Sequence, residues 1–426
     1  MAKQSINIGS SANDGTGDTI RAGMDKVNDN FTEIYAVNGG SAAFPSLGSA
    51  GQIIQVNSGE DALEFATAST VIPHKIEGTN FTGSVIIGHS TTGTLNAAQS
   101  NTAVGLGALD AITEGDQNIA IGTNALTSLT TGDNNVGIGY NAGFAINTGS
   151  NNIAIGNAAL DAENGHGSNV AIGPFTLSTL DAGTDAYNIA IGRNAGLSLS
   201  TGVRNIIMGA FAGDALNTGN YNIAIGYGSL SAEDAHGRNV AVGFSTLSVQ
   251  NAGADAYNVA IGYNAGIAVS TGVQNVILGG LAGDALNAGS NNIIIGYNAA
   301  ASAVDADNEI TLGNSSISAI RSQVTSISSL SDKRDKKDIE DSVYGLDFVD
   351  SLKPVTFEWD QRDGNRSGVK DVGFIAQDLQ EVDDEYTRLV YESNPEKLEA
   401  TYGRLIPIMA KAIQELSAKV KQLENK

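Results

Sequence analysis

The chain has 426 residues, 52 of them glycine, with aromatic residues at 6% and charged ones at 16%, so its layers are thin and an ordinary enzyme core is not expected. Its 46 acidic against 23 basic side chains give a net charge of −23, which argues against a nucleic-acid or anionic-membrane surface. With no cysteine, a disulfide framework, a thiol nucleophile and Cys-ligated zinc are all excluded.

The start, Met1-Ala-Lys-Gln-Ser, carries no apolar run, and no stretch reaches about 18 apolar residues, so neither a signal peptide nor membrane insertion is expected. From Asp18 a capped helix is predicted, with Ile20, Met24, Val27, Phe31 and Ile34 spaced alternately by four and three residues. That spacing fits a coiled-coil seam or a plain amphipathic helix. The preceding Ile6-Asn-Ile-Gly-Ser and Asn13-Asp-Gly-Thr-Gly-Asp resemble an N-terminal segment of phage tail-fibre and baseplate proteins. The resemblance implies that residues 1–40 attach the chain to baseplate or tail proteins of a virion, with residues 41–100 as a β-rich connector.

The middle is repetitive. The string Asn-[Ile/Val]-x-[Ile/Val/Met/Leu]-Gly begins at Asn118, Asn135, Asn152, Asn169, Asn188, Asn205, Asn222, Asn239, Asn258, Asn275 and Asn292, spaced by 17 residues except for two steps of 19. Four copies sum to 70 residues, and the flanks repeat at that distance too, as in Asp185-Ala-Tyr-Asn with Asp255-Ala-Tyr-Asn and His166-Gly with His236-Gly. A unit this short cannot hold a helical pair. Alternation in Asn118-Ile-Ala-Ile-Gly predicts a strand, and the Gly, Asn and Thr between copies predict turns. We therefore expect a mainly β solenoid of 17-residue coils over residues 101–315, two short strands per coil, with isoleucines stacked as core and alanines facing out. Such a core is thin, and three chains wound about one axis would bury it. Asn152-Ile-Ala-Ile-Gly-Asn-Ala-Ala and Asn258-Val-Ala-Ile-Gly-Tyr-Asn-Ala resemble the head repeat of trimeric autotransporter adhesins, which implies a trimeric β-roll.

Composition changes near residue 330: the last 96 residues hold 15 of the 23 basic side chains but only 5 of the 52 glycines. Residues 316–330 are read as a linker and 331–426 as a separate α+β domain. Within it, Leu352-Lys-Pro-Val-Thr-Phe-Glu-Trp predicts a strand, and Gly373-Phe-Ile-Ala-Gln-Asp-Leu a passage from strand to helix. From Arg404 a helix is predicted, in which Ile406, Met409, Ile413, Leu416, Val420 and Leu423 step by three and four as a coiled-coil seam.

At the boundary stands Ser331-Asp-Lys-Arg-Asp-Lys-Lys-Asp-Ile. Its plain reading is a solvated helix start, with Ser331 or Asp332 as N-cap and Asp335 in the first turn. A chemical reading pairs Ser331 as nucleophile with Lys336 as base; on one helix their side chains would point about 140° apart, so Ser331 must precede the helix. Nearby Lys333, Arg334 and Lys337 favour a neutral lysine, while Asp335 and Asp338 oppose it. Ser331-Asp-x-Arg-x-Lys-x-x-Ile, Lys353-Pro-Val-x-Phe-x-Trp, Gly373-Phe-Ile-Ala-Gln, and Tyr402-x-x-Leu followed by Lys411-Ala-Ile-Gln-Glu-Leu resemble, in order, the self-cleaving intramolecular chaperone domain of phage fibres and tailspikes. The resemblance implies that Ser331 and Lys336 form a dyad cutting Leu330–Ser331 after the domain has guided trimer assembly. Asp335, where an aliphatic residue is common, and Asp338, where Asn is common, depart from the pattern and bear on cleavage rate.

These readings converge on a homotrimeric virion tail fibre, made in the host cytoplasm, that contacts a host surface glycan or protein and performs one proteolytic turnover on itself. No cofactor and no metal are expected. A bacterial trimeric surface adhesin with the same rod is the alternative. A polysaccharide-cleaving rod would need a carboxylate pair, for which Asp161 with Glu163 and Glu233 with Asp234 are candidates. Their recurrence in register reads instead as turn residues, and His166 and His236 as exposed turn histidines. The same recurrence counts against a metal held on the axis by one histidine from each chain.

Overall fold

In a computed structural model of the chain, residues 52–56, 63–67, 74–78 and 80–425 are described, apart from 324–327 and 363–366. The predicted helix from Asp18 and the attachment segment 1–40 lie outside the described residues. A hairpin of Gln52–Val56 (β1) and Leu63–Thr67 (β2) forms its own sheet. A second hairpin, His74–Gly78 (β3) with Phe81–Ile87 (β4), opens the main sheet. Thirteen parallel three-residue strands follow, from Thr102–Val104 (β5) to Ile310–Leu312 (β17), each pairing with the next in sequence order. The protein is therefore mainly β, and its middle is a solenoid.

Two details of the coil differ from expectation. Each 17-residue unit contains one strand, not two. The remainder is turn, held by left-handed residues such as Asn124 at φ 58° and Leu126 at φ 49°. This bend drives Leu126 and Leu129 under the strand, where both are fully buried. The facing of the strand is also reversed. Ala120 is 0% exposed, whereas Ile119 and Ile121 are each 40% exposed. In this coil Leu126 and Leu129 fill the space beneath the strand, so the small Ala120 goes inside and Ile119 and Ile121 stand outside. In other coils Ile207, Ile277 and Ile294 take the same inward place, also fully buried. The outcome is a continuous core of alanine, leucine and isoleucine, and an open apolar sheet face.

The repeated asparagine is what locks one coil to the next. Twelve of them, from Asn101 to Asn292, are fully buried. Asn118 is typical: its Nδ2 donates to the Gly132 carbonyl at 2.9 Å, and its Oδ1 accepts the Asn135 amide at 2.8 Å. Asparagine alone fits, because one position needs both a donor and an acceptor on a short side chain. Ser84 and Glu309 occupy the same place at the two ends: the Asn101 amide donates to Ser84 Oγ at 2.9 Å, and the Glu309 amide donates to Asn292 Oδ1 at 2.9 Å. The glycine that ends each strand is equally constrained. Gly122 has φ +127°, and a Cβ there would lie 2.5 Å from the Gly139 carbonyl oxygen.

The C-terminal part is α+β. It runs through helix Leu346–Ser351 (α1), strands Val355–Asp360 (β18) and Ser367–Gly373 (β19), helix Ala376–Gln380 (α2), strands Val390–Tyr391 (β20) and Glu399–Ala400 (β21), and helix Leu405–Glu424 (α3). Its core gathers Leu379, Leu389, Val390, Leu405 and Ile408. Glu415 on α3 accepts the Leu346 amide at 2.8 Å, satisfying the start of α1 and fixing one helix on the other. The opposite side of α3 is uncovered: Ile406, Ile413 and Leu423 are 64%, 66% and 70% exposed.

Candidate functional site

The stretch after Leu330 is not a full helix. A single 3-10 turn, Lys333–Asp335, is capped by Asp332, whose carboxylate accepts the Arg334 amide at 2.9 Å. The Arg334 side chain also pairs with Asp332 at 2.7 Å and holds that carboxyl below its usual range. Lys336 then leaves the turn in an extended conformation, φ −125° and ψ 142°. Because the chain straightens there, the lysine side chain folds back past the turn, and its Nζ donates to Ser331 Oγ at 2.6 Å. Ser331 thus precedes the turn, and the two side chains that a continuous helix would have separated are in contact. The scissile candidate Leu330 is 97% exposed, and residues 331–340 are all exposed.

In this arrangement the lysine can orient the hydroxyl. Taking its proton requires a neutral amine, which desolvation favours and open water does not. A single chain therefore holds the two groups together but leaves them wet.

The other candidates fare differently. Glu163 and Glu233, read from the sequence as turn residues, are both 0% exposed. Burial, opposed by the amides of His166 and His236, pushes both carboxyls above their usual range. Periodicity cannot reveal this, since a buried turn residue and an exposed one recur alike.

Sequence reasoning also missed a surface ladder. Tyr187, Arg204, Tyr221, Arg238 and Tyr257 occupy the position before successive asparagines. The Arg204 guanidinium lies 5.5 Å from the Tyr221 ring centre, and that of Arg238 lies 5.7 Å from Tyr221 and 5.5 Å from Tyr257. Tyr187, Tyr221 and Tyr257 remain about half exposed. Aligning the repeats column by column would have shown the alternation.

Two family models match the chain. One, described as the chaperone of endosialidase, covers residues 331–390 and begins at Ser331 itself. The other, described as Bacteriophage T4 gp9/10-like protein, N-terminal, covers residues 3–173 and so runs into the first coils of the solenoid. Comparison with curated proteins and with solved structures gave no match. No helix among the described residues is long and apolar enough to cross a membrane. The protein is accordingly a component of the phage virion tail, built as a β-solenoid rod. It carries a chaperone domain whose family is also one of autocatalytic peptidases.

Proposed function

We propose that the protein is a homotrimeric tail fibre for host attachment, joined to the virion through its N-terminal segment, whose chaperone domain releases itself by cutting Leu330–Ser331. The observation that carries the cleavage is the 2.6 Å contact of Lys336 Nζ with Ser331 Oγ, at the first residue of the chaperone match. Ser331 Oγ attacks the Leu330 carbonyl carbon. Its proton passes through the neutral Lys336 amine to the departing Ser331 nitrogen, leaving an ester. Water then opens the ester, giving the Leu330 carboxylate and restoring the hydroxyl. Because both groups are exposed in one chain, neighbouring copies supply the dry surroundings the step needs, which makes cutting a consequence of assembly.

Two uncovered apolar surfaces support a trimer: the outward isoleucines of the rod and the seam of α3. Parallel coils from three chains offer many wrong registers, and pairing between distant residues is slow. A C-terminal clamp aligns the chains first. Removing it afterwards takes away the folding route and leaves the rod kinetically trapped.

Denaturing electrophoresis of freshly made protein will show fragments of about 330 and 96 residues for wild type and only the 426-residue chain for Ser331→Ala. Intact chain in both would reduce the domain to a chaperone without peptidase activity. For host attachment, the Tyr–Arg ladder offers aromatic planes to sugar rings and guanidinium groups to their acid substituents. Purified rod will bind host cells, and Arg204→Ala with Arg238→Ala will lower that binding at least tenfold; unchanged binding places the receptor contact elsewhere. The adhesin alternative shares the rod, but the phage tail match over residues 3–173 favours the fibre.

A further inference from the structure

We propose that the rod carries two sites for a first-row divalent transition metal, one formed by Glu163, His166 and Asp181 and the other by Glu233, Asp234 and His236. Within each trio, one ligand atom per residue lies within 4.8 Å of the others. The sites stand apart from the peptidase chemistry and from host attachment.

The arrangement around each glutamate is what a hydrogen-bonded turn does not explain. Glu163 Oε1 accepts the His166 amide at 3.1 Å and lies 3.6 Å from His166 Nδ1. Its Oε2 and that Nδ1 are both buried without a hydrogen-bond partner. Seventy residues on, Glu233 Oε1 accepts the His236 amide at 3.2 Å and lies 3.7 Å from His236 Nδ1, and the corresponding two atoms are again buried and unpartnered. A gap of 3.6 Å is too long for a hydrogen bond. It is close to the ~3.4 Å that separates two ligands each ~2.1 Å from a tetrahedral ion. A fully buried carboxylate with an orphaned oxygen is costly, and a cation relieves that cost directly.

The two sites differ in a way that preserves their charge. Asp181 of the first corresponds to Asn251 in the second, while Asn164 of the first corresponds to Asp234 in the second. The third ligand has moved to another position, yet each cluster keeps one histidine and two carboxylates. Each also lies beside one of the two 19-residue steps, Asn169 to Asn188 and Asn239 to Asn258. The ion would brace the coil where the repeat is lengthened. Imidazole with two carboxylates suits zinc and its neighbours, whereas calcium and magnesium prefer all-oxygen shells.

The test is metal analysis of untagged full-length protein, loaded with Zn²⁺ and dialysed against metal-free buffer. Wild type will retain two zinc ions per chain, Glu163→Gln one, and Glu163→Gln with Glu233→Gln none, while Ca²⁺ loaded in the same way will not be retained. Circular dichroism will show that the isosteric variants remain folded. Independently of any variant's folding, Co²⁺-loaded wild type will show visible ligand-field bands, lost when Zn²⁺ is added. Wild type that retains no zinc, or a double variant that still holds two ions, would overturn the proposal.

Discussion

Replacing Asn205 by alanine will destabilise the rod by about 2–6 kcal/mol, one of the largest effects available to a single side chain in it. Asn205 Nδ2 donates to the Gly219 carbonyl at 2.9 Å, and its Oδ1 accepts the Asn222 amide at 2.9 Å. Alanine strands both backbone groups inside the coil, at about 1–3 kcal/mol each. The change also interrupts the ladder, so coils on either side lose their neighbour across that rung. Asn217, an exposed asparagine of the same coil, is the control, and Asn217→Ala will change stability by less than about 1 kcal/mol. Urea denaturation of the full chain compares the two. Equal midpoints would remove the buried ladder from any account of what holds the rod together.

Placing aspartates at Ile413 and Val420 will abolish assembly and, with it, processing. Both side chains point away from the domain core, being 66% and 44% exposed, while Leu405, Ile408 and Ala412 on the other side of α3 stay packed. The chaperone domain therefore still folds. What is lost is the seam between helices, where each buried apolar side chain contributes about 1.5–3 kcal/mol. In the proposed trimer, two positions in each of three chains put the penalty on the order of 10 kcal/mol, before counting repulsion among the new charges. Light scattering after size exclusion will show single chains, and electrophoresis will show them uncut. A trimer that survives the double substitution would show that α3 is not the clamp, and cleavage by a monomer would show that the dyad does not depend on neighbours.

Much of this architecture was legible in the residues because a repeat states the same constraint many times. The 17- and 19-residue spacing reveals stacked coils, and the invariant asparagine column anticipates the ladder. Strand Val355–Asp360, the passage into Ala376–Gln380 and helix Leu405–Glu424 likewise follow from local pattern. What pattern could not give is direction. Alternation in Asn118-Ile-Ala-Ile-Gly says that Ile119 and Ile121 share a face, not which face is inside; the turn leucines packed beneath the strand decide that, and Ala120 is the residue placed against them. The repeated string does not reach the end coils because Ser84 and Glu309 stand where the asparagine would be. At Ser331 the charges suggested a helix, but one turn and an extended Lys336 sufficed, since no apolar stripe there packs on anything. The burial of the glutamates beside His166 and His236 was not legible, because it is a property of the closed coil and leaves no mark on spacing.

The last coil leans on the domain that the proposed cut would release. Asn394 Nδ2 donates to the Ser302 carbonyl at 2.9 Å, and the Glu309 carboxylate is held by Ser302, Ser393 and Tyr391. β17 is the edge of the main sheet, paired to the rod on one side only. Blunt tips of this kind invite tip-to-tip polymerisation into filaments of uncontrolled length. Glu309 is an acid where the preceding coils carry a neutral amide; in the proposed trimer, after the proposed cut, it would set three like charges at the fibre end and oppose such joining.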